Sequence, residues 1–170
     1  MSKRLSYEDS GYVHFISFTC FGRRAFLDTE YARNIVVSVL ETRLRRTETI
    51  CHGFVVMPEH VHAVLEFTQA KALSNFLQQW KRLSSHAIRK HIAADRPGYH
   101  EATSHADAIW QHGYHDFSLL TESKFNEKLQ YMHNNPVIRG LVDEPAKWHW
   151  SSARWYEEGK SVGVPIGGRP

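Results

Sequence analysis

The central stretch of the chain reads His52-Gly53-Phe54-Val55-Val56-Met57-Pro58-Glu59-His60-Val61-His62-Ala63-Val64-Leu65-Glu66-Phe67. Its two runs of β-branched and apolar residues, His52 to Met57 and Val61 to Phe67, are typical of strands. Pro58-Glu59 separates the runs, and proline cannot donate a ladder hydrogen bond. We therefore predict two neighbouring strands joined by a bend or bulge rather than by a long loop.

Two histidines in this stretch, His60 and His62, are separated by one apolar residue. On a strand, residues i and i+2 share a face and lie about 7 Å apart, so both imidazoles can reach one ion. Val61, Ala63 and Leu65 would then face the core. The alternative is that two polar side chains merely occupy the solvated face of an alternating strand. Spacing alone leaves both interpretations open.

Outward from this stretch toward the amino terminus lie a predicted strand and a predicted helix. Residues Tyr12 to Phe21 are rich in aromatic and β-branched residues and end at the basic turn Gly22-Arg23-Arg24, which predicts a first strand. Between Tyr31 and Arg45, apolar residues recur at helical spacing. We expect the strand at Tyr12 to pair with the two central strands.

Toward the carboxyl terminus, two more helices are predicted. Ser74 begins a helical pattern that runs to about His91. The segment Ala93 to Ala108 has no clear period and predicts a loop, and Ile109 to Leu120 predicts an edge strand or hairpin. Ser123 is predicted to cap a third helix. This helix should end near Asn134, because Asn135 precedes Pro136 and is disfavoured in helical geometry.

The predicted order β, α, β, β, α, β, α indicates an α+β fold. Its leading topology is a ferredoxin-like (RRM-like) antiparallel sheet with helices packed on it. The length of 170 residues suits one domain over residues 1–170, with the Gly- and Pro-rich residues 159–170 as a docked or mobile tail.

Composition restricts the class of protein. No stretch approaches the roughly 18 apolar residues of a membrane span, and the polar start, Met1 to Gly11, lacks a secretory signal. Cys20 and Cys51 lie in apolar surroundings typical of reduced intracellular cysteines. A cytoplasmic location is expected. The net charge of +3 suits a polyanionic partner without requiring one.

A second candidate site lies on the third helix. Phe125, Leu129 and Met132 recur at i, i+4 and i+7 and predict its buried stripe, which leaves Tyr131 to one side. If the helix persists, Asn135 sits one turn beyond Tyr131 on the same face. The alternative is a half-buried tyrosine beside an Asn-Pro turn.

Several motifs occur together and in a familiar order. They are Phe15-Ile16-Ser17-Phe18 leading to Arg23-Arg24, Val56-Met57-Pro58-Glu59-His60-Val61-His62, Tyr131-Met132-His133-Asn134-Asn135-Pro136-Val137-Ile138-Arg139-Gly140-Leu141-Val142, and Trp148-His149-Trp150-Ser151-Ser152-Ala153 with Tyr156. In these motifs the chain resembles the REP-associated tyrosine transposases, a branch of the single-tyrosine HUH transposases. The resemblance covers most of the chain.

The resemblance implies a DNA-associated bacterial enzyme that cleaves and joins single-stranded DNA through a 5′-phosphotyrosine intermediate. Tyr131 would be the nucleophile on a carboxyl-terminal helix, and His60, His62 and Asn135 would hold Mg²⁺ or Mn²⁺. The implied target is a REP-like hairpin, and the enzyme would be a monomer or a homodimer. The sequence departs from the expected pattern at Tyr114-His115-Asp116-Phe117, so no catalytic role is assigned to His115 or Asp116.

Cationic and aromatic residues supply candidate DNA contacts. The cations are Arg23, Arg24, Lys81, Arg89, Lys124, Lys128 and Arg139, and the candidate base-stacking rings are Trp110 and Tyr114. Lysines on amphipathic helices are also commonly plain solvated surface. Two other functions remain open: a non-catalytic DNA-binding regulator, and a metal-dependent nuclease that activates water.

Overall fold

The computed structural model describes residues 12–69, 71–95 and 108–167. In chain order its strands and α-helices are β1 (Tyr12–Thr19), α1 (Glu30–Arg45), β2 (Ile50–Val56), β3 (His60–Phe67), α2 (Ala72–Asp95), β4 (His115–Ser118), α3 (Glu122–Ile138) and α4 (Ala153–Glu158). Short 3-10 turns occur at Phe21–Arg23 and Pro145–Lys147. The predicted order β, α, β, β, α, β, α is confirmed, and α4 follows it.

The strands form one antiparallel sheet in the order β2-β3-β1-β4. With α1 and α2 as crossovers, this is the ferredoxin-like arrangement predicted from the sequence. A tight turn joins β2 to β3, because the backbone N–H of Met57 donates to the carbonyl of His60 at 2.8 Å. The turn confirms the short connection expected at Pro58-Glu59. Strand β4 is the edge next to β1.

One face of the sheet is covered by α1 and α2. Alternate strand residues, among them Phe18 and Val61, join side chains of both helices in a buried apolar cluster. Trp80 of α2 is fully buried there, and its Nε1–H donates to the carbonyl of Val36 on α1 at 2.9 Å. Burying each large apolar side chain stabilises the fold by about 1.5–3 kcal/mol.

The opposite face carries α3. Its predicted stripe of Phe125, Leu129 and Met132 is buried against residues of β1, β2 and β3, which confirms the stripe. Gly53 of β2 allows the close approach, because a Cβ there would lie 2.7 Å from Leu129 Cδ1 and from Met132 Cε. His133 also links α3 to the carboxyl-terminal segment, because its Nε2 lies within hydrogen-bond distance of the Ser152 hydroxyl, at 2.7 Å.

The boundaries of two helices differ from the predictions. Helix α2 spans Ala72–Asp95, so it begins before Ser74 and includes residues that were predicted to begin a loop. The rest of that predicted loop, up to residue 107, lies outside the described residues. Helix α3 is capped by Thr121, whose hydroxyl accepts from the Lys124 N–H at 3.2 Å, rather than by Ser123. Thr121 is also a favourable capping residue, and it stands three positions before that N–H.

The carboxyl end of α3 is the larger correction, because the helix continues through Pro136 to Ile138. Pro136 has no N–H for the carbonyl four residues earlier, and an internal proline ordinarily costs about 3 kcal/mol. Here its ring is buried, and the next turn is closed by the Arg139 N–H donating to the Asn135 carbonyl at 3.0 Å. Asn135 therefore keeps helical geometry.

The segment after α3 runs along β2. The Trp148 Nε1–H donates to the carbonyl of Val56 at 2.9 Å, and the Val56 N–H donates to the carbonyl of Trp150 at 2.8 Å. In the tail, Val162 and Val164 are buried in the cluster under α1 and α2. Residues 168–170 lie outside the described part of the chain. No helix among the described residues is long and apolar enough to cross a membrane.

Candidate active site

The two histidines of β3 point toward α3. Strand alternation places Val61, Ala63 and Leu65 in the cluster under α1 and α2, so His60 and His62 share the opposite face. Their ring centroids are 4.6 Å apart. This is the shared face that the sequence predicted for the pair.

Helix α3 brings Tyr131 to the same place. Its ring centroid lies 5.6 Å from that of His62, and both rings contact Phe15 of β1. Tyr131 is 49% exposed, whereas Asn135 one turn later is buried. Because α3 continues past Asn135, both side chains face one cleft of about 620 Å³. The cleft is lined by Ser17, Thr19, Arg23, His60, His62, Gln111, His115, Tyr131, Asn135, Ile138 and Arg139.

The histidines are neutral, which is the form that binds metal ions. Burial, with smaller contributions from His60 and Lys128, lowers the pKa of His62 to about 3. Burial also lowers the pKa of His60, although Glu59 opposes the shift. Both ring nitrogens of His62 are buried without a hydrogen-bond partner. A buried, unpartnered imidazole is costly unless another group completes the site.

A metal ion suits this cleft. His60, His62 and Asn135 all line the cleft, and two neutral imidazoles with one amide oxygen could offer the mixed nitrogen and oxygen ligands that Mg²⁺ or Mn²⁺ accepts. Within residues 12–69, 71–95 and 108–167, no group of three or more His, Cys, Asp or Glu side chains is arranged to hold a metal.

Glu59 supports the site, and the sequence reading did not identify it. The Nδ1–H of His60 donates to Glu59 Oε1 at 3.1 Å, and Arg139 Nη1 donates to the same oxygen. Burial alone would raise the pKa of Glu59, but Arg139 and His60 together hold it below its ordinary value. The carboxylate thus fixes the His60 tautomer and leaves Nε2 as the free ligand atom. In the sequence, the position of Glu59 directly before His60 could have indicated this role.

Two neighbours of the histidines in β1 were also missed. Thr19 lies opposite His60 and Ser17 lies opposite His62 in the antiparallel register. Both hydroxyls therefore face the cleft. In the sequence, Ser17 and Thr19 alternate with Phe18, which packs on the other face, and this alternation could have indicated that both hydroxyls face the site. They add small polar groups beside the two histidines.

Lys128 is a candidate DNA contact that lies near Tyr131. Its Nζ lies 5.7 Å from the Tyr131 ring centroid. Arg23 and Arg139 line the cleft directly. These three candidates, drawn from the 3-10 turn after β1 and from α3, surround the predicted site with positive charge.

Two candidate DNA contacts are used inside the protein instead. Trp110 is buried, and its Nε1–H donates to the Ser84 hydroxyl at 3.1 Å. Its ring has no open face for a base, so the base-stacking prediction for Trp110 is wrong. Lys81 Nζ donates to the carbonyls of Gln111 and Gly113 at 2.7 and 2.6 Å, and burial lowers its pKa.

The remaining candidates lie outside the cleft lining. Tyr114 is partly exposed and shares a 2.9 Å hydrogen bond with Ser74, and Lys124 pairs with Glu127 at 2.7 Å. Arg24 and Arg89 are exposed. Of the two residues left without a role, His115 lines the cleft, whereas Asp116 accepts a 2.7 Å hydrogen bond from His14.

Comparison with known proteins identifies the family of the chain. A family profile for IS200-like transposases matches residues 8–135. The chain belongs to this transposase family, as its sequence motifs predicted. A comparison with curated protein sequences finds no match.

Two solved structures share the fold. One is a REP-associated tyrosine transposase bound to a REP hairpin, with a TM-score of 0.69 and 20% identity over 97% of this chain and 92% of that chain. The other is a candidate transposase from Deinococcus radiodurans, with a TM-score of 0.52 and 18% identity over 73% of this chain and 90% of that chain. At these identities the likeness concerns the fold, and it confirms the predicted architecture.

Proposed function

We propose that the chain is a single-stranded DNA transposase that cleaves and rejoins DNA at REP-like hairpins through a 5′-phosphotyrosine intermediate on Tyr131. Membership of a transposase family supports DNA cleavage and transfer. The observation that carries the proposal is the position of the half-exposed Tyr131 ring, 5.6 Å from the ring of His62, whose two nitrogens have no partner.

Tyr131 performs the cleavage step in this proposal. Its phenol oxygen attacks the scissile phosphorus, so the Tyr131 O–P bond forms and the bond from phosphorus to the 3′ oxygen breaks. The phenol releases its proton to solvent, and the departing 3′ oxygen takes one up. The reverse attack by a 3′-hydroxyl on the phosphotyrosine rejoins DNA without ATP, because the phosphodiester bond energy is conserved in the link.

His60, His62 and Asn135 would hold the metal ion in this proposal. When bound, Mg²⁺ or Mn²⁺ offsets the negative charge that develops on the phosphate in the transition state. Glu59 keeps the Nδ1 proton on His60, so that the Nε2 lone pair is available. Phe15 stacks on His62 at 5.2 Å between centroids and limits its rotation.

The DNA backbone would lie across the cleft between Arg23 and Arg139, which offer charge to adjacent phosphates. Arg24, Arg89, Lys124 and Tyr114 remain candidates for contacts farther from the cleft. The hairpin target rests on the sequence resemblance and on the ligand of the REP-associated relative.

The experiment that tests this proposal is a denaturing gel of the protein with labelled hairpin oligonucleotides from its own genomic neighbourhood, with Mn²⁺ or a chelator. Tyr131→Phe should abolish the covalent band and leave binding intact. Tyr31→Phe is the matched control, because Tyr31 is similarly exposed, at 54%, and lies on α1. A covalent band that persists in Tyr131→Phe contradicts the assignment.

Two other results of the same experiment would assign a different function to the protein. Cleavage without a covalent band indicates a nuclease that activates water, with Tyr131 only orienting the substrate. Tight binding with neither cleavage nor a band, across several hairpins, indicates a DNA-binding regulator. Labelling the oligonucleotide at either end also identifies the retained fragment, and retention of the 5′-labelled fragment argues against a 5′-phosphotyrosine link.

A further inference from the structure

One ammonium group stands beside the nucleophile in an unusual setting. Lys128 lies three residues before Tyr131 on α3, so the two side chains occupy the same helix face. Its Nζ is 5.4 Å from the ring centroids of Phe15 and Phe117 and 5.7 Å from that of Tyr131. Three aromatic rings from β1, β4 and α3 therefore surround this cation.

The charge of Lys128 is only weakly offset by carboxylates. Its one ion pair within the described part of the chain is with Glu127 Oε1 at 3.9 Å. The other oxygen of Glu127 is held more closely by Lys124, at 2.7 Å. The Lys128 side chain is 28% exposed, so water screens it less than it screens a free surface lysine. Much of the electric field of the Lys128 ammonium therefore acts on the three aromatic rings around it.

Lys128 and Asn135 lie on opposite sides of Tyr131 along the helix. Asn135 follows the tyrosine by one turn and belongs to the proposed metal-binding set, while Lys128 precedes it by nearly one turn. A helix rises about 1.5 Å per residue, so the backbones of Lys128 and Asn135 lie about 4.5 Å and about 6 Å from that of Tyr131 along the axis, in opposite directions. The metal would act on the phosphate, which leaves the tyrosine oxygen to a second positive group.

We infer that Lys128 is a further catalytic residue, whose ammonium stabilises negative charge on the Tyr131 oxygen. This inference rests on the proposed tyrosine chemistry. During cleavage the oxygen carries charge as it loses its proton and bonds to phosphorus. During rejoining the same oxygen departs as the bond to phosphorus breaks, and it regains a proton from solvent. Lys128 acts through its charge and exchanges no proton in either step.

The rings have a positioning role in this arrangement. Phe15 is nearly buried and fixed in the sheet, whereas Phe117 is 47% exposed on the edge strand. An ammonium over ring faces is attracted by their quadrupoles. Phe15 and Phe117 thus hold Lys128 over Tyr131 before DNA arrives, which limits the reorganisation needed during the reaction.

Lys128→Met tests the inference, because it keeps the length of the side chain and removes the charge. Under single-turnover conditions with a labelled hairpin oligonucleotide and Mn²⁺, adduct formation should slow about 100-fold, as when one preorganised donor is lost. The dissociation constant for the same oligonucleotide should change far less, by about 3-fold, as for one phosphate contact. Lys128→Arg should retain most of the rate.

Lys160→Met is the matched control. Lys160 also pairs with a neighbouring glutamate, at 2.8 Å from Glu158 Oε2, and it lies outside the cleft lining. Its loss should leave the rate of adduct formation unchanged. If Lys128→Met behaves like this control, or loses binding and rate to the same extent, Lys128 is at most a DNA contact and the inference is wrong.

A chemical rescue keeps the test decisive if Lys128→Met folds poorly. Alkylation of Lys128→Cys with 2-bromoethylamine restores an ammonium at nearly the same position, and the native Cys20 and Cys51 are buried. Recovery of the rate supports the inference, and no recovery in a folded, fully alkylated protein contradicts it. Loss of the covalent band in Tyr131→Phe is scored separately, so the proposed nucleophile and Lys128 can fail independently.

Discussion

Two buried histidines make the stability of the metal-free protein depend on pH. Burial, together with His60 and Lys128, lowers the pKa of His62 to about 3, and burial lowers the pKa of His133 to about 4. An unfolded histidine has a pKa of about 6.5. Below that pH the unfolded state binds protons that the folded state does not, so stability falls as the pH falls toward the folded pKa values.

The size of the loss follows from these values. Between its unfolded and folded pKa values, each histidine lowers the free energy of unfolding by about 1.4 kcal/mol for each unit by which the pH falls. Between about pH 7.5 and about pH 5, His62 and His133 each contribute roughly 2 kcal/mol, or roughly 4 kcal/mol together. Most carboxylates remain ionised in both states over this range, since their unfolded pKa values lie near 4. The loss is a large share of a typical domain stability of about 5–15 kcal/mol.

Urea unfolding across this pH range, with a chelator present, measures the effect. His133→Gln should reduce the pH-dependent loss by roughly 2 kcal/mol, because it removes the contribution calculated for His133. His86→Gln is the control, since His86 is exposed on α2 and should leave the pH dependence unchanged. A flat stability profile, or equal behaviour of the two variants, would refute the reasoning.

Three other substitutions test the site and its packing. Glu59→Gln removes the charge that orients His60, so Mn²⁺ affinity measured by calorimetry should fall about 10-fold, and unchanged affinity would count against the positioning role. His60→Ala should raise the Mn²⁺ concentration needed for adduct formation by about 10-fold or more, and normal activity at limiting Mn²⁺ would exclude it as a ligand. Gly53→Ala should lower the free energy of unfolding by about 1–3 kcal/mol in urea, because the new Cβ meets Leu129 and Met132. If Gly53→Ala leaves the free energy of unfolding unchanged, α3 can move away from β2 at little cost in stability.

Local periodicity was enough to predict the parts of the site that depend on one element. The alternation of β3 placed His60 and His62 on one face, and the spacing of the apolar stripe left Tyr131 exposed on α3. Each of these results follows from the geometry of a single strand or helix. The ferredoxin-like order was predictable for the same reason, because the strand and helix patterns alternate clearly along the chain.

Tertiary contacts explain the features that were predicted wrongly, or not predicted, from the sequence. Burial of Pro136 allows α3 to continue where the local rule ends a helix. Trp110 resembles a base-stacking residue in the sequence, but its neighbours on α2 and β1 enclose it. The role of Glu59 depends on Arg139, which is 80 positions away in the sequence. Such pairings are not encoded in the spacing of any one segment.

The most direct test of the central claim is to identify the amino acid that carries DNA. The protein is incubated with a hairpin oligonucleotide and Mn²⁺, both protein and DNA are digested, and the nucleotide-bearing peptide is sequenced by mass spectrometry. The account predicts a nucleotide joined through its 5′-phosphate to Tyr131 on the peptide from α3. A nucleotide on any other residue, or cleaved DNA with no modified peptide, would contradict it.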